Sequence, residues 1–124
     1  MIERDVKKAV RALLTKHAWF HWMPPSNAFG RSGIADINAV KNGLFLAIET
    51  KVGKNLPTPQ QRVFLQHVHD VGGYAFMVNE SRVDALAAWL DRFDALTVGY
   101  EWNGPSDPLT MALSNIPDPP RPRA

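Results

Sequence analysis

Gly33-Ile34-Ala35-Asp36-Ile37-Asn38-Ala39-Val40-Lys41-Asn42-Gly43-Leu44-Phe45-Leu46-Ala47-Ile48-Glu49-Thr50-Lys51 is the stretch that organises the rest of the chain. It reads as a β-hairpin, because two β-rich apolar runs meet at Asn42-Gly43, a pair that tolerates the positive φ angles of a type I′ turn. A two-residue turn fixes the register. Lys41 then faces Leu44, Val40 faces Phe45, Asn38 faces Ala47 and Ile37 faces Ile48. One step further, Asp36 faces Glu49, and alternation puts Lys51 on the face of Glu49.

This register sets two carboxylates opposite each other at the end of the hairpin away from the turn, an unfavourable pairing. Their neighbours Ile34, Ile37, Ala47 and Ile48 are apolar and lower the local dielectric, which sharpens the repulsion. Three compensations are open: a shared proton, neutralisation by Lys51, or a divalent cation. Two carboxylates with the carbonyl of Thr50 and waters would form the oxygen-rich site that Mg²⁺ or Mn²⁺ prefers. A surface hairpin with scattered charges is the plainer account, and the register, the apolar setting and Lys51 together weigh against it.

The same residues resemble a family. Asp36 followed by Glu49-Thr50-Lys51 on the next strand is similar to the D…ExK signature of the PD-(D/E)XK nuclease superfamily. Thr58-Pro59-Gln60-Gln61 resembles the S/T-P-x-Q element of its virus-type replication-repair nuclease (VRR-NUC) branch. Glu3 stands where that branch carries a glutamate in its first helix, and Ala35 replaces the proline often found before the aspartate. The resemblance covers about residues 1 to 93. It implies a restriction-endonuclease-like core and a site of Asp36, Glu49, Lys51, Gln61 and Glu3, with Asp36, Glu49, Thr50 and Glu3 around the cation. It further implies divalent-metal-dependent cleavage of DNA in replication or repair, leaving a 5′-phosphate end.

Length and composition are compatible with this. The 124 residues suit one domain able to bury a core without staples. With no cysteine, disulfides, thiolate zinc sites and cysteine nucleophiles are excluded. No apolar run approaches a signal or membrane-spanning segment, so a soluble cytoplasmic protein of a bacterial or phage-infected cell is the expectation. The net charge is +2, yet residues 1–62 carry ten Lys/Arg against four acids and the remainder four against eight. The positive surplus lies with the candidate site, as a polyanionic substrate requires, although a solvated basic helix face would look similar.

Residues 2–16 read as an amphipathic helix with Ile2, Val6, Ala9, Val10, Leu13 and Leu14 on one stripe. Glu3 in its first turn has two accounts: complementing the helix dipole or pairing with Lys7, or, by resemblance, a third carboxylate at the site. His17 to Met23 alternates as a strand. His17 and His21 would then stand about 13 Å apart, which suits packing or DNA contact better than ligation. The loop Pro24–Gly33 offers Arg31, Ser26, Asn27 and Ser32 for phosphate contacts, with Gly30 and Gly33 allowing close backbone approach. Lys54, Lys7 and Arg11 are further candidate DNA contacts.

A second helix starts at Thr58, with Pro59 at its first position and Gln61 completing a capping box. Gln61 shares a face with Leu65 and Val68, so its amide can also point toward the site. Gly72-Gly73 ends the helix. Tyr74–Val78 reads as a fully apolar and therefore internal strand, and Ser81 to Phe93 as a helix with Ser81 and Asp84 in capping-box spacing. Six of the ten prolines lie from Pro105 onward, which suggests an extended C-terminal extension over residues 95–124 after a nuclease-like domain over 1–94.

The expected architecture is α/β, in the order α-β-β-β-α-β-α, with a central mixed sheet flanked by helices. The leading functional reading is an endonuclease on branched DNA, similar to Holliday-junction resolvases and working as a homodimer, because paired incisions need two active sites about a two-fold axis. Trp89, Trp102, Leu109, Met111 and Ile116 are candidate interface residues. The alternatives are a catalytically inactive nucleic-acid-binding module, a flap or nicking nuclease that needs a partner protein, and a small structural protein.

Overall fold

Residues 1–25 and 33–99 are described by a computed structural model of the chain. The order is α1 (Glu3–Lys16), β1 (Phe20–Trp22), β2 (Ile37–Lys41), β3 (Leu44–Thr50), α2 (Pro59–Asp70), β4 (Tyr74–Val78) and α3 (Val83–Leu96). The strands form one mixed sheet in the order β1-β2-β3-β4, antiparallel except for the parallel pair β3–β4. The protein is thus α/β, with a four-stranded mixed sheet flanked by helices.

The hairpin has the expected register, from Lys41↔Leu44 to Ile37↔Ile48. Its turn residues Asn42 and Gly43 have φ of 53° and 77°, the left-handed values that a type I′ turn requires. Asp36 lies in the bend just before β2. Residues 46–50 of β3 are all buried, and since successive side chains alternate faces, both faces of this strand are covered. Ile37, Ala39, Leu46 and Ile48 join Val6, Val10 and Leu14 of α1 and Leu86, Leu90 and Phe93 of α3 in one core. Each large aliphatic side chain so buried contributes about 1.5–3 kcal/mol. On β3, Glu49 alternates to the face opposite Ile48, and α2 packs against β3 and β4.

Four local expectations are corrected. The segment from His17 is not a strand until Phe20, because α1 ends in a Schellman motif. The Trp19 amide donates to the Leu14 carbonyl at 2.9 Å and the Ala18 amide to the Thr15 carbonyl at 3.1 Å, with Ala18 at φ 61°. His17 is buried there, and its Nδ1 lies 2.8 Å from Asp94 Oδ2. Lys41 Nζ donates to Asp94 Oδ1 at 2.7 Å, so this cluster ties the end of α1 and the hairpin to α3. Hydrogen bonds with His17 first and Lys41 second hold the Asp94 carboxyl below its ordinary pKa.

The second correction concerns β4, which is an edge strand among the described residues. It is apolar because both faces are covered: α2 lies against it, and on the other side Tyr74 and Phe76 pack on Trp89 at ring separations of 5.0 and 4.9 Å. Trp89 also meets Trp19 and Phe93 and is partly buried by this packing. Third, Ser81 does not cap α3. Its amide and hydroxyl donate to Asn79 Oδ1, and Arg82 stands at the N-cap with no side-chain cap. Fourth, α3 continues to Leu96, past the helix end expected at Phe93, and Thr97 after it is anchored by its hydroxyl to the Phe93 carbonyl at 2.8 Å. Arg31 and the other loop residues 26–32, with Trp102, Leu109, Met111 and Ile116 of the C-terminal extension, lie outside the described residues.

Candidate functional site

Three elements converge at one end of the hairpin. Glu3 comes from the first turn of α1, Asp36 from the bend before β2, and Glu49 from the end of β3. One carboxylate oxygen from each lies within 4.8 Å of the other two. The side chains are held differently. Asp36 Oδ2 accepts from the Thr50 amide at 3.0 Å and from the Thr50 hydroxyl at 2.8 Å. Its other oxygen lies 3.8 Å from Lys7 Nζ. Lys7 makes no ion pair with Glu3 among the described residues, so the pairing considered for Glu3 along the helix is not formed.

Glu49 is only 1% exposed. Its Oε1 accepts from Gln61 Nε2 at 2.9 Å. Its Oε2 is buried and, as a carboxylate oxygen, has no hydrogen-bond partner among the described residues. Burial raises the Glu49 pKa to about 8, helped by the hydrogen bond and the charge of Asp36, while Lys51 pulls it down. A pKa raised this far favours the neutral acid near neutral pH, and the hydrogen bond with Asp36 suits a shared proton, the first of the three compensations. A buried carboxyl close to two other acids is under electrostatic strain that a bound cation would relieve.

Gln61 performs both roles open to it. Its Oε1 accepts from the Thr58 amide at 2.8 Å and its backbone amide donates to Thr58 Oγ1 at 3.2 Å, closing the capping box. The same side chain donates to Glu49. The placement of α2 depends on Gly33 (φ +87°), where an added Cβ would lie 2.8 Å from both Cβ and O of Gln60. The close approach expected at Gly33 is thus to α2 rather than to a phosphate.

The site therefore brings together Glu3, Asp36, Glu49 and Gln61, with Lys7 beside them. Lys51 follows directly after β3 and acts electrostatically on Glu49, and it has no ion pair among the described residues. Lys54 is exposed in the following loop, and Arg11 lies further along α1. Two features were missed from the sequence. One is that Thr50 anchors Asp36 with its amide and hydroxyl, where only its carbonyl was expected to matter. The other is the reach of Lys7 to Asp36. Neither has a local sequence signal, since both depend on how the bend at Asp36 folds back on β3. The three carboxylates form an all-oxygen donor set that fits a hard, oxygen-seeking divalent cation. Neither a scan against models of known protein families nor a search of curated proteins returned a match for the chain. No described helix is long and apolar enough to cross a membrane.

Proposed function

We infer that the protein is a divalent-metal-dependent endonuclease of the PD-(D/E)XK type that hydrolyses phosphodiester bonds in DNA. One observation carries the reading: the buried Glu49 carboxyl set within 4.8 Å of Asp36 and Glu3, with its pKa raised to about 8. The motif resemblance and the positive bias of the first half of the chain support it.

In this reading Glu3, Asp36 and Glu49 hold Mg²⁺ or Mn²⁺, with the carbonyl of Thr50 as a further oxygen. The cation supplies positive charge for the phosphoryl oxygens and makes water a better nucleophile at neutral pH. The protein supplies the rest. Thr50 fixes Asp36, Gln61 fixes Glu49, and the Lys51 ammonium stabilises the negative charge that grows on the phosphoryl group during in-line attack. Water adds to phosphorus, the bond to the 3′ oxygen breaks, and that oxygen leaves with a proton, giving a 5′-phosphate and a 3′-hydroxyl. The preferred substrate is branched DNA cut by a homodimer, with the exposed Phe20 and Trp22 of β1 as apolar surface for the interface.

The test is cleavage of end-labelled four-way junctions, flaps, nicked and linear duplexes in Mg²⁺ or Mn²⁺. Metal-dependent cutting that Asp36→Asn abolishes supports the reading. No cutting of any substrate, with metal bound and the protein folded, contradicts it. Paired symmetric incisions by a species of twice the chain mass support the dimer, and unpaired nicks by a monomer contradict it.

A further inference from the structure

The apolar stripe of α1 is spent on the core, with Val6, Val10 and Leu14 fully buried. Its other side carries Arg4, Lys7, Lys8 and Arg11 at i, i+3, i+4 and i+7, a spacing that places them on one helix face. Like charges four residues apart oppose helix formation, and this face has two such pairs, Arg4–Lys8 and Lys7–Arg11. Among the described residues, only Lys7 of the four has an acidic partner, Asp36. The four cations do not stand on a convex surface. With Thr15, His21 and Met23 they line a groove of about 490 Å³ between α1 and the end of β1. Burial first and the nearby Arg11 second lower the His21 pKa, and its Nε2 is engaged with Thr15 Oγ1 at 3.0 Å.

The groove has a direction. Lys7, which lines it and lies 3.8 Å from Asp36, puts one end of it at the carboxylate cluster, and Thr15 and His21 mark the other. We propose that this groove is the track for a DNA backbone leading to the carboxylate cluster, with Arg4, Lys8 and Arg11 each neutralising one phosphate. Arg4 and Arg11 are about 10 Å apart along the helix axis, and their long side chains with that of Lys8 extend the reach, so the three cations can each meet a different phosphate of one strand. A membrane surface is the poorer occupant, because an interfacial helix needs its apolar face free for lipid and that of α1 is in the core. An acidic protein segment would not account for the groove running to a cluster that itself carries three carboxylates. The proposal rests on the nuclease reading for where the track leads, but binding along it is measurable apart from cleavage.

The test measures equilibrium binding of a labelled duplex in Ca²⁺ or EDTA at several salt concentrations. The proteins compared are the wild type, the triple variant Arg4→Gln/Lys8→Gln/Arg11→Gln, and Lys16→Gln. Glutamine keeps helix propensity, and circular dichroism checks the fold. Lys16 lies on the same helix but outside the groove. Each lost phosphate contact lowers the slope of log K against log salt by about 0.9. The triple variant should therefore lose about 2.7 from the slope and bind at least about tenfold more weakly, while Lys16→Gln changes little. An unchanged slope in the triple variant, or an equal loss per charge from Lys16→Gln, overturns the track. So does saturable binding to phosphatidylserine vesicles with none to DNA. If wild type cuts DNA and the triple variant keeps the full slope, the track fails and the nuclease reading stands. If the slope falls as expected and no DNA is cut in Mg²⁺ or Mn²⁺, the track stands and the nuclease reading fails.

Discussion

Gln61 holds Glu49 with the same amide that caps α2: Nε2 donates to Glu49 Oε1 at 2.9 Å while Oε1 accepts from the Thr58 amide at 2.8 Å. Helix start and acid orientation are thereby one constraint, and the two partners separate its parts. Thr58→Ala removes the cap alone and should cost about 1 kcal/mol of stability with most activity kept. Gln61→Ala removes the cap partner and the Glu49 contact together, so it should lower metal-dependent cleavage at least about tenfold beyond Thr58→Ala. Denaturant unfolding with parallel cleavage rates checks this. Equal activity losses in the two variants would reduce Gln61 to a cap.

Glu49 makes stability depend on pH in a stated direction. Its folded-state pKa of about 8 lies above the ordinary 4.5, so the folded, cation-free protein binds this proton more tightly than the unfolded chain. Its contribution is fully present below about pH 4.5 and is lost as pH rises to about 8. A shift of this size corresponds to several kcal/mol. Glu49→Gln should flatten that part of the profile, raise stability in EDTA at pH 8 and abolish cleavage. A Glu49→Gln profile that still falls over this range would place the titrating group elsewhere.

Gly33 sets how closely the bend before β2 approaches α2. Gly33→Ala meets both a positive φ and the 2.8 Å contact with Gln60. It should cost about 1–3 kcal/mol and displace the first turn of α2, so that cleavage falls more than the unfolded fraction accounts for. Activity per folded molecule, measured well below the melting temperature, is the readout.

Ala18 holds a left-handed conformation at the C′ position of α1. Ala18→Gly relieves the Cβ cost there and should raise stability by about 1 kcal/mol without changing cleavage. A fall in melting temperature would contradict the Schellman reading of this helix end.

Lys51 and Lys54 should separate in kinetics. Lys51→Ala should lower the chemical step about 10²-fold with DNA affinity little changed, whereas Lys54→Ala should weaken binding and reduce the salt slope by about 0.9. Single-turnover cleavage and equilibrium binding distinguish them.

The hairpin was legible because Asn42-Gly43 fixes a register and the register fixes which residues face each other. Asp36, Glu49 and the capping box at Thr58 follow from such short-range rules. Contacts decided by tertiary packing were not legible. His17 reads as the start of an alternating strand, yet the helix end and Asp94, 77 positions away, claim it. Tyr74–Val78 looks internal by composition, but burial on both faces does not require a neighbour on each edge. Thr50 offers nothing in sequence to show that its hydroxyl, rather than its carbonyl alone, serves the site. The basic spacing on α1 was visible as charge, whereas its concave setting against His21 and Met23 was not.

The central claim is that Glu3, Asp36 and Glu49 form a cation site that displaces the proton on Glu49. Its most direct test is calorimetric titration of Mn²⁺ into the protein at pH 7 in buffers of different ionisation enthalpy, with Asp36→Asn and Glu49→Gln alongside. The account predicts saturable binding with release of close to one proton per site, as a group with a pKa of about 8 requires. It also predicts loss of that binding in Asp36→Asn and loss of the proton release in Glu49→Gln. No saturable binding, or binding that both variants leave unchanged, would contradict it.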